Sequence, residues 1–315
     1  MIEELELADR MVDRDINLSA LLEQADEHTL IVIGNGFDVA HKVKSKYEDF
    51  RKWLIEHGHE FLVNSINAYF PDIEDDKDNW GDIETAMGFY DEKSILSECR
   101  PHEEIDYDHP TQSTARVTDS VETFFKPHMD EFRDLFVEWV NGLEIDEVKP
   151  NLHLPRNAKY LSFNYTETLE HCYGIDPERV VHIHGSRLPK GGEYVFGHFK
   201  KRSPGDVYSD EESLTFELEA HENVVRWMND WYKPTEDYIM EHRDLFWHLE
   251  DVKMVIFVGK TINKVDEDYF CEIQDHIPKD AKVYMSYHED YEPFQIASYI
   301  IDEDLPFKKW RLFKW

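Results

Sequence analysis

Cysteine is scarce. Cys99, Cys172 and Cys271 lie far apart in 315 residues and never form a C-x-x-C pair. That pattern excludes a disulfide framework and a zinc ribbon, so no zinc is expected, and it fits a reducing, cytoplasmic setting. Basic residues are the second shortage: 34 Lys and Arg against 68 Asp and Glu give a formal net charge of -34. Such a surface repels phosphate backbones and anionic lipid, so broad nucleic-acid binding is not expected. Long apolar runs are missing too. No stretch approaches the roughly 20 residues of a membrane span, and the charged N-terminal stretch MIEELELADRMVDRDINL lacks a signal-peptide core. A soluble protein with no membrane partner is expected.

What is present argues for a folded chain. Hydrophobic residues make up 41% and aromatics 14%, too much apolar surface for a disordered protein. The β-branched run Thr29–Ile33 stops at Gly34-Asn35-Gly36 and reads as a buried strand. From Phe37 onward, Val43, Tyr47, Phe50 and Leu54 fall at helical spacing, with Gly58 as the stop. Further strands are predicted at 160–163, 180–184, 194–196, 254–258, 282–286 and 307–313. Between them the spacing is helical, with a stripe of Val121, Phe124, Phe125, Phe132, Leu135, Phe136 and Trp139 that reads as core. Residues 102–114 read as a polar loop. Alternating strands and helices predict an α/β Rossmann-like parallel sheet with helices on both faces. We read 1–315 as a single such domain with helical insertions at about 60–150 and 205–250.

Three motifs fall at predicted strand ends. Gly34-Asn35-Gly36-Phe37-Asp38 combines permissive backbone with a helix start, an arrangement suited to phosphate; the alternative is an ordinary βα turn. Asp38 would accept from a ribose hydroxyl or from helix amides. Asn164, after the strand ending at Phe163, would face the same crevice or cap a helix. In His182-Ile183-His184-Gly185, alternation puts both imidazoles on one face and His184 at the strand end. They would be structural, catalytic, or metal ligands joined by His198 or an acid. Trp80 and Glu84 share a helix face, and Glu84 would reach the pocket or stay solvated.

The segments GNGFDVAHKVKSKYEDF, NWGDIETAMG (79–88), FNYTETLE (163–170), VVHIHG (180–185) and VFGH (195–198) resemble, in that order, the AbiH family of bacteriophage abortive infection proteins. The resemblance implies phage defence, with an unknown phage-derived trigger. That family in turn is similar to sirtuins and to sirtuin-like NAD-cleaving domains. On that likeness Gly34 and Gly36 would hold phosphate, Asn164 would contact the nicotinamide ribose and orient a water, and His184 would be the general base. Gly259, Lys260 and Thr261 would line the ribose or phosphate, with Lys260 where such proteins carry another residue. The four-cysteine module of the deacetylases is missing, so deacetylation is not implied.

The expected activity is hydrolysis of NAD or a related nucleotide at the N-glycosidic bond, with that nucleotide as substrate or ligand. A non-catalytic nucleotide-binding sensor and a metal-dependent phosphodiesterase or nuclease are the alternatives. Oligomeric state is not set by the sequence, and a homo-oligomer is left open.

Overall fold

Runs of apolar, β-branched residues have their lowest free energy where both faces of a strand are covered. The computed structural model, which describes residues 2–70, 80–99, 116, 118–189, 191–207 and 215–315, places such runs at the centre of a parallel sheet. Helices α1 (Ile2–Met11) and α2 (Leu18–Gln24) precede β1 (Thr29–Ile33), and α3 (Asn35–Ala40) follows it. Then come α4 (Tyr47–Glu56), α5 (Glu60–Tyr69), α6 (Ile83–Gly88), α7 (Glu92–Cys99) and α8 (Lys126–Asn141), the last entered through a π-helical turn at Val121–Phe125. The chain continues through β2 (Lys159–Ser162), α9 (Thr168–His171), β3 (Val180–His182), α10 (Thr215–Asn229), α11 (Thr235–Glu241) and α12 (Arg243–Phe246). It finishes with β4 (Met254–Val258), α13 (Glu267–His276), β5 (Lys282–Tyr287), α14 (Glu292–Asp302) and β6 (Arg311–Lys314).

Among the described residues the sheet has six strands in the order β3-β2-β1-β4-β5-β6, every pair parallel. This is the doubly wound, Rossmann-like arrangement expected from the sequence. Successive side chains alternate across it. Leu30, Val32, Val255 and Phe257 pack with Leu7 and Met11 of α1, Phe270 of α13 and Ile300 of α14. Ile31, Ile33, Ile256 and Val258 face the other way, toward Leu21 of α2, Phe37 of α3 and Leu169 of α9. The chain leaves β1 toward β2 and β3, then crosses back to β4 on its other side. The carboxyl ends of β1 and β4 therefore flank the switch point, where doubly wound sheets bind ligands.

Two compact units emerge. The first comprises 1–45, 143–195 and 234–315 and contains the sheet. The second comprises 46–142 and 196–233. Its core is aromatic: Phe50, Trp80, Phe132, Phe136, Phe196 and Trp231 meet ring to ring.

Some sequence expectations are corrected. The helix predicted from Phe37 to Gly58 is broken at His41–Lys46, where Lys42 takes a left-handed conformation (φ 67°). Gly58 does end α4, at φ 88°, with its amide on Ile55. Residues 194–196 form no strand; Val195 donates to the His184 carbonyl at 2.9 Å, without a continuing ladder. In the predicted stripe Phe124 points outward, because the wider π turn rotates it out of phase with its neighbours. The predicted loop at 102–114 lies outside the described residues.

Candidate functional site

The turn after β1 is built for close backbone approach. A Cβ on Gly34 would fall 2.5 Å from the Gly259 carbonyl oxygen, and one on Gly36 would fall 2.7 Å from Gly259 Cα. Gly259, at φ 63°, follows β4, and its own Cβ would meet Phe37 N at 2.3 Å. No side chain fits between these two turns. Hydrogen bonds complete the lock: Gly34 N–H donates to Val258 O at 3.0 Å and Gly36 N–H to Gly259 O at 2.9 Å. Phe37 N–H donates to Gly34 O at 2.9 Å. These amides serve the fold, and the glycines earn their place by letting β1 and β4 end against each other. Phe37 is a core residue stacked among His41, Tyr173 and Trp315. Asn35 is exposed and ties its loop to Ser45, donating to the Ser45 carbonyl at 3.0 Å. Thr261 is also exposed.

Asp38, from α3, is buried beside the turn that follows β2. Thr166 Oγ1 donates to Asp38 Oδ2 at 2.5 Å, and Thr166 and Thr168 share a hydrogen bond of 3.0 Å. Burial raises the Asp38 pKa, opposed by hydrogen bonds from Thr166, Thr168 and Asn164 and by the charge of His41. Asn164 is thus brought to Asp38, as their strands' shared carboxyl edge predicts. Its backbone amide is held by Ser162 Oγ at 3.2 Å, and its Oδ1 is buried with no hydrogen-bond partner among the described residues.

The two histidines of the H-x-H motif part company. Strand β3 ends at His182, so alternation no longer aligns the rings. His182 turns to Asn164 O and Glu170. His184 lies in the turn, where Gly185 at φ 77° redirects the chain. Its Nε2 is 3.4 Å from Asp266 Oδ1, with the side chains 5% and 4% exposed. Lys260 Nζ holds the other carboxylate oxygen of Asp266 and lies 4.5 Å from the centre of the Phe163 ring. Phe163 and Tyr269 in turn flank the His184 ring at 5.0 and 5.7 Å between centroids. Lys260 Cβ also abuts Gly34. The glycine turns, Lys260, Asp266 and His184 therefore form one continuous array on the carboxyl edge of the sheet.

A family model described as bacteriophage abortive infection AbiH matches residues 30–287. The chain belongs to the AbiH family. No curated protein and no solved structure matches it. The match spans β1 through β5 of the AbiH chain and takes in every residue of the array.

The remaining candidates belong to the second unit of this AbiH protein. His198, in the second unit, is fully buried; its Nε2–H donates to Met228 O at 2.8 Å and its Nδ1 accepts from Lys200 N at 3.2 Å. Burial pulls its pKa down to about 4, against the raising effects of the Met228 carbonyl and Glu84. Glu84, also in that unit, accepts from Tyr47 Oη at 2.9 Å and Gly197 N at 3.0 Å, and pairs with the fully buried Lys233 at 3.1 Å. Trp80 is core, its indole N–H on Asn67. Both ring nitrogens of His182 and of His198 are engaged, and no group of three or more metal-ligating side chains occurs among the described residues. No helix among the described residues is long and apolar enough to cross a membrane. Sequence reasoning missed Asp266 as the partner of His184. The only signal was that it closes the segment after β4, which a doubly wound sheet folds over the same edge.

Proposed function

We infer from membership of the AbiH family that the protein acts in abortive infection defence against bacteriophage. We propose that it does so by binding NAD or a related nucleotide at the carboxyl edge of the sheet and hydrolysing its N-glycosidic bond. The observation that carries this reading is the buried His184–Asp266–Lys260 array beside the switch point. In the proposed reaction water attacks C1′ of the ribose as the C1′–N bond breaks. The bonding pair leaves with the pyridinium nitrogen, so nicotinamide departs neutral and needs no acid. The water proton passes to His184, leaving the nucleotide with a hydroxyl at C1′. Asp266 stabilises the imidazolium so formed, and Lys260 fixes the carboxylate that does so. Asn164, with its unpartnered Oδ1, faces the ribose or the water. Asn35, Gly36, Gly259 and Thr261 are the solvent-reaching part of the proposed binding edge, with Gly34, Phe37 and Asp38 buried behind them as its support.

The test is nicotinamide release by purified protein, with and without phage lysate. Release by wild type and its loss in His184→Ala and Asn164→Ala, both folded by circular dichroism, is the expected result. No release under either condition overturns the proposal. One observation favours a second reading, binding without cleavage: the His184 side chain is only 5% exposed, which restricts water at its ring. Thermal protection by NAD without turnover would select that reading.

A further inference from the structure

His182 takes no part in the chemistry proposed above, yet both its ring nitrogens are committed. Nδ1 lies 2.9 Å from the carbonyl oxygen of Asn164, and Nε2 lies 2.8 Å from Glu170 Oε1. The imidazole and the carboxylate are 6% and 7% exposed. A carbonyl oxygen and a carboxylate only accept hydrogen bonds, so each ring nitrogen carries a proton. On this pattern an ionised Glu170 holds His182 as an imidazolium inside the fold. Burial works against that charge; the hydrogen bond and charge of Glu170, the Asn164 carbonyl and the charge of Glu167 outweigh it and raise the pKa.

We propose that the His182–Glu170 pair is a positioning device for Asn164. The inference rests on the reading of Asn164 as a site residue. Asn164 lies in the irregular segment between β2 and α9, where no strand or helix fixes its direction. Ser162 Oγ holds its amide and His182 its carbonyl, so the residue is anchored on both sides of its Cα. Glu170 comes from α9 and His182 from the end of β3. The pair thus ties β3 and α9 to the turn between β2 and α9, at a residue that, with Thr166 and Thr168, faces Asp38. A neutral ring would donate to one acceptor and meet the other with a lone pair; the imidazolium satisfies both together.

Two substitutions separate positioning from simple stabilisation. In Glu170→Gln the amide donates to Nε2 of a neutral ring that keeps its Nδ1–H on Asn164, so the geometry survives without the charge. In Glu170→Ala the ring loses its anchor. Nitrogen-15 spectra of histidine-labelled full-length protein at neutral pH should show both His182 nitrogens protonated in wild type. The Asn164 amide resonance should move in Glu170→Ala and return in Glu170→Gln. NAD turnover in Glu170→Ala should fall in kcat by about 10- to 100-fold, the scale of a small misplacement, with KM nearly unchanged and most of kcat restored in Glu170→Gln. A neutral His182 tautomer in wild type overturns the proposal, as does an unmoved Asn164 resonance in Glu170→Ala. If wild type cleaves no NAD, the reading of the site fails, and the two spectroscopic results still decide the role of the pair.

Discussion

Gly259→Ala is the most direct probe of how the site is framed. The residue takes φ 63°, where an L side chain costs about 1–2 kcal/mol. The added methyl would also lie 2.3 Å from Phe37 N, 2.5 Å from Gly36 C and 2.8 Å from Gly36 Cα. All three are backbone atoms and cannot swing aside as a side chain would. Relief requires the turn after β1 to move away from the turn after β4, lengthening the 2.9 Å bond from Gly36 N–H to Gly259 O. Overpacking of this kind costs about 1–3 kcal/mol. Together the effects amount to about 3 kcal/mol, or a Tm lowered by about 6–12 °C for a unit of this size. The control is Gly174→Ala in the same unit. Gly174 has φ 65°, but its Cβ would meet only Arg156 Nη2, at 4.0 Å. It should show the conformational cost alone, about 1–2 kcal/mol. Chemical denaturation of both variants makes the comparison. Equal losses of stability would refute the claim that the two turns are locked by contact.

Three further outcomes are expected. Glu84→Ala removes the carboxylate paired with the buried Lys233 ammonium and should cost about 3–5 kcal/mol in chemical denaturation, more than an exposed Glu→Ala change such as Glu56→Ala. His198, with its pKa depressed to about 4, contributes stability that is complete above its unfolded value near 6.5 and lost as pH falls toward 4. That loss amounts to about 3 kcal/mol, and His198→Gln should flatten the stability profile across this window. Asp38, its pKa raised chiefly by burial, weakens the fold increasingly as pH rises above the ordinary carboxylate value of 3.8. Asp38→Asn should therefore raise Tm at pH 7 and lose that advantage in acid; a lower Tm at pH 7 would refute the assignment.

The sheet was legible where burial acts on both faces of a strand. Thr29–Ile33 and Met254–Val258 are continuous apolar runs ended by glycine, and both are strands with the predicted bounds. Residues 194–196 carry a similar apolar signal, but no neighbouring strand receives them, and strand pairing is not encoded locally. The break at His41–Lys46 was hidden because a left-handed Lys42 has no composition signature. At the site, Gly34, Asn164 and His184 could be named because each follows a strand. Their partners could not. Asp266 meets His184 through tertiary folding alone, and Glu170 meets His182 across the turn of a helix into a strand. The glycine motif was readable as a close approach, but not what approaches: another glycine turn, which uses the amides itself.

The position of β1 has a consequence for synthesis. It is made before both of its neighbours in the sheet, β2 at residues 159–162 and β4 at residues 254–258. A ribosome that stops before β4 releases a chain carrying Gly34, Asn164 and His184 with one flank of the central strand unpaired and neither Lys260 nor Asp266. Such a product lacks two members of the proposed site, whose edge is assembled only after β4 and the segment that follows it have been made.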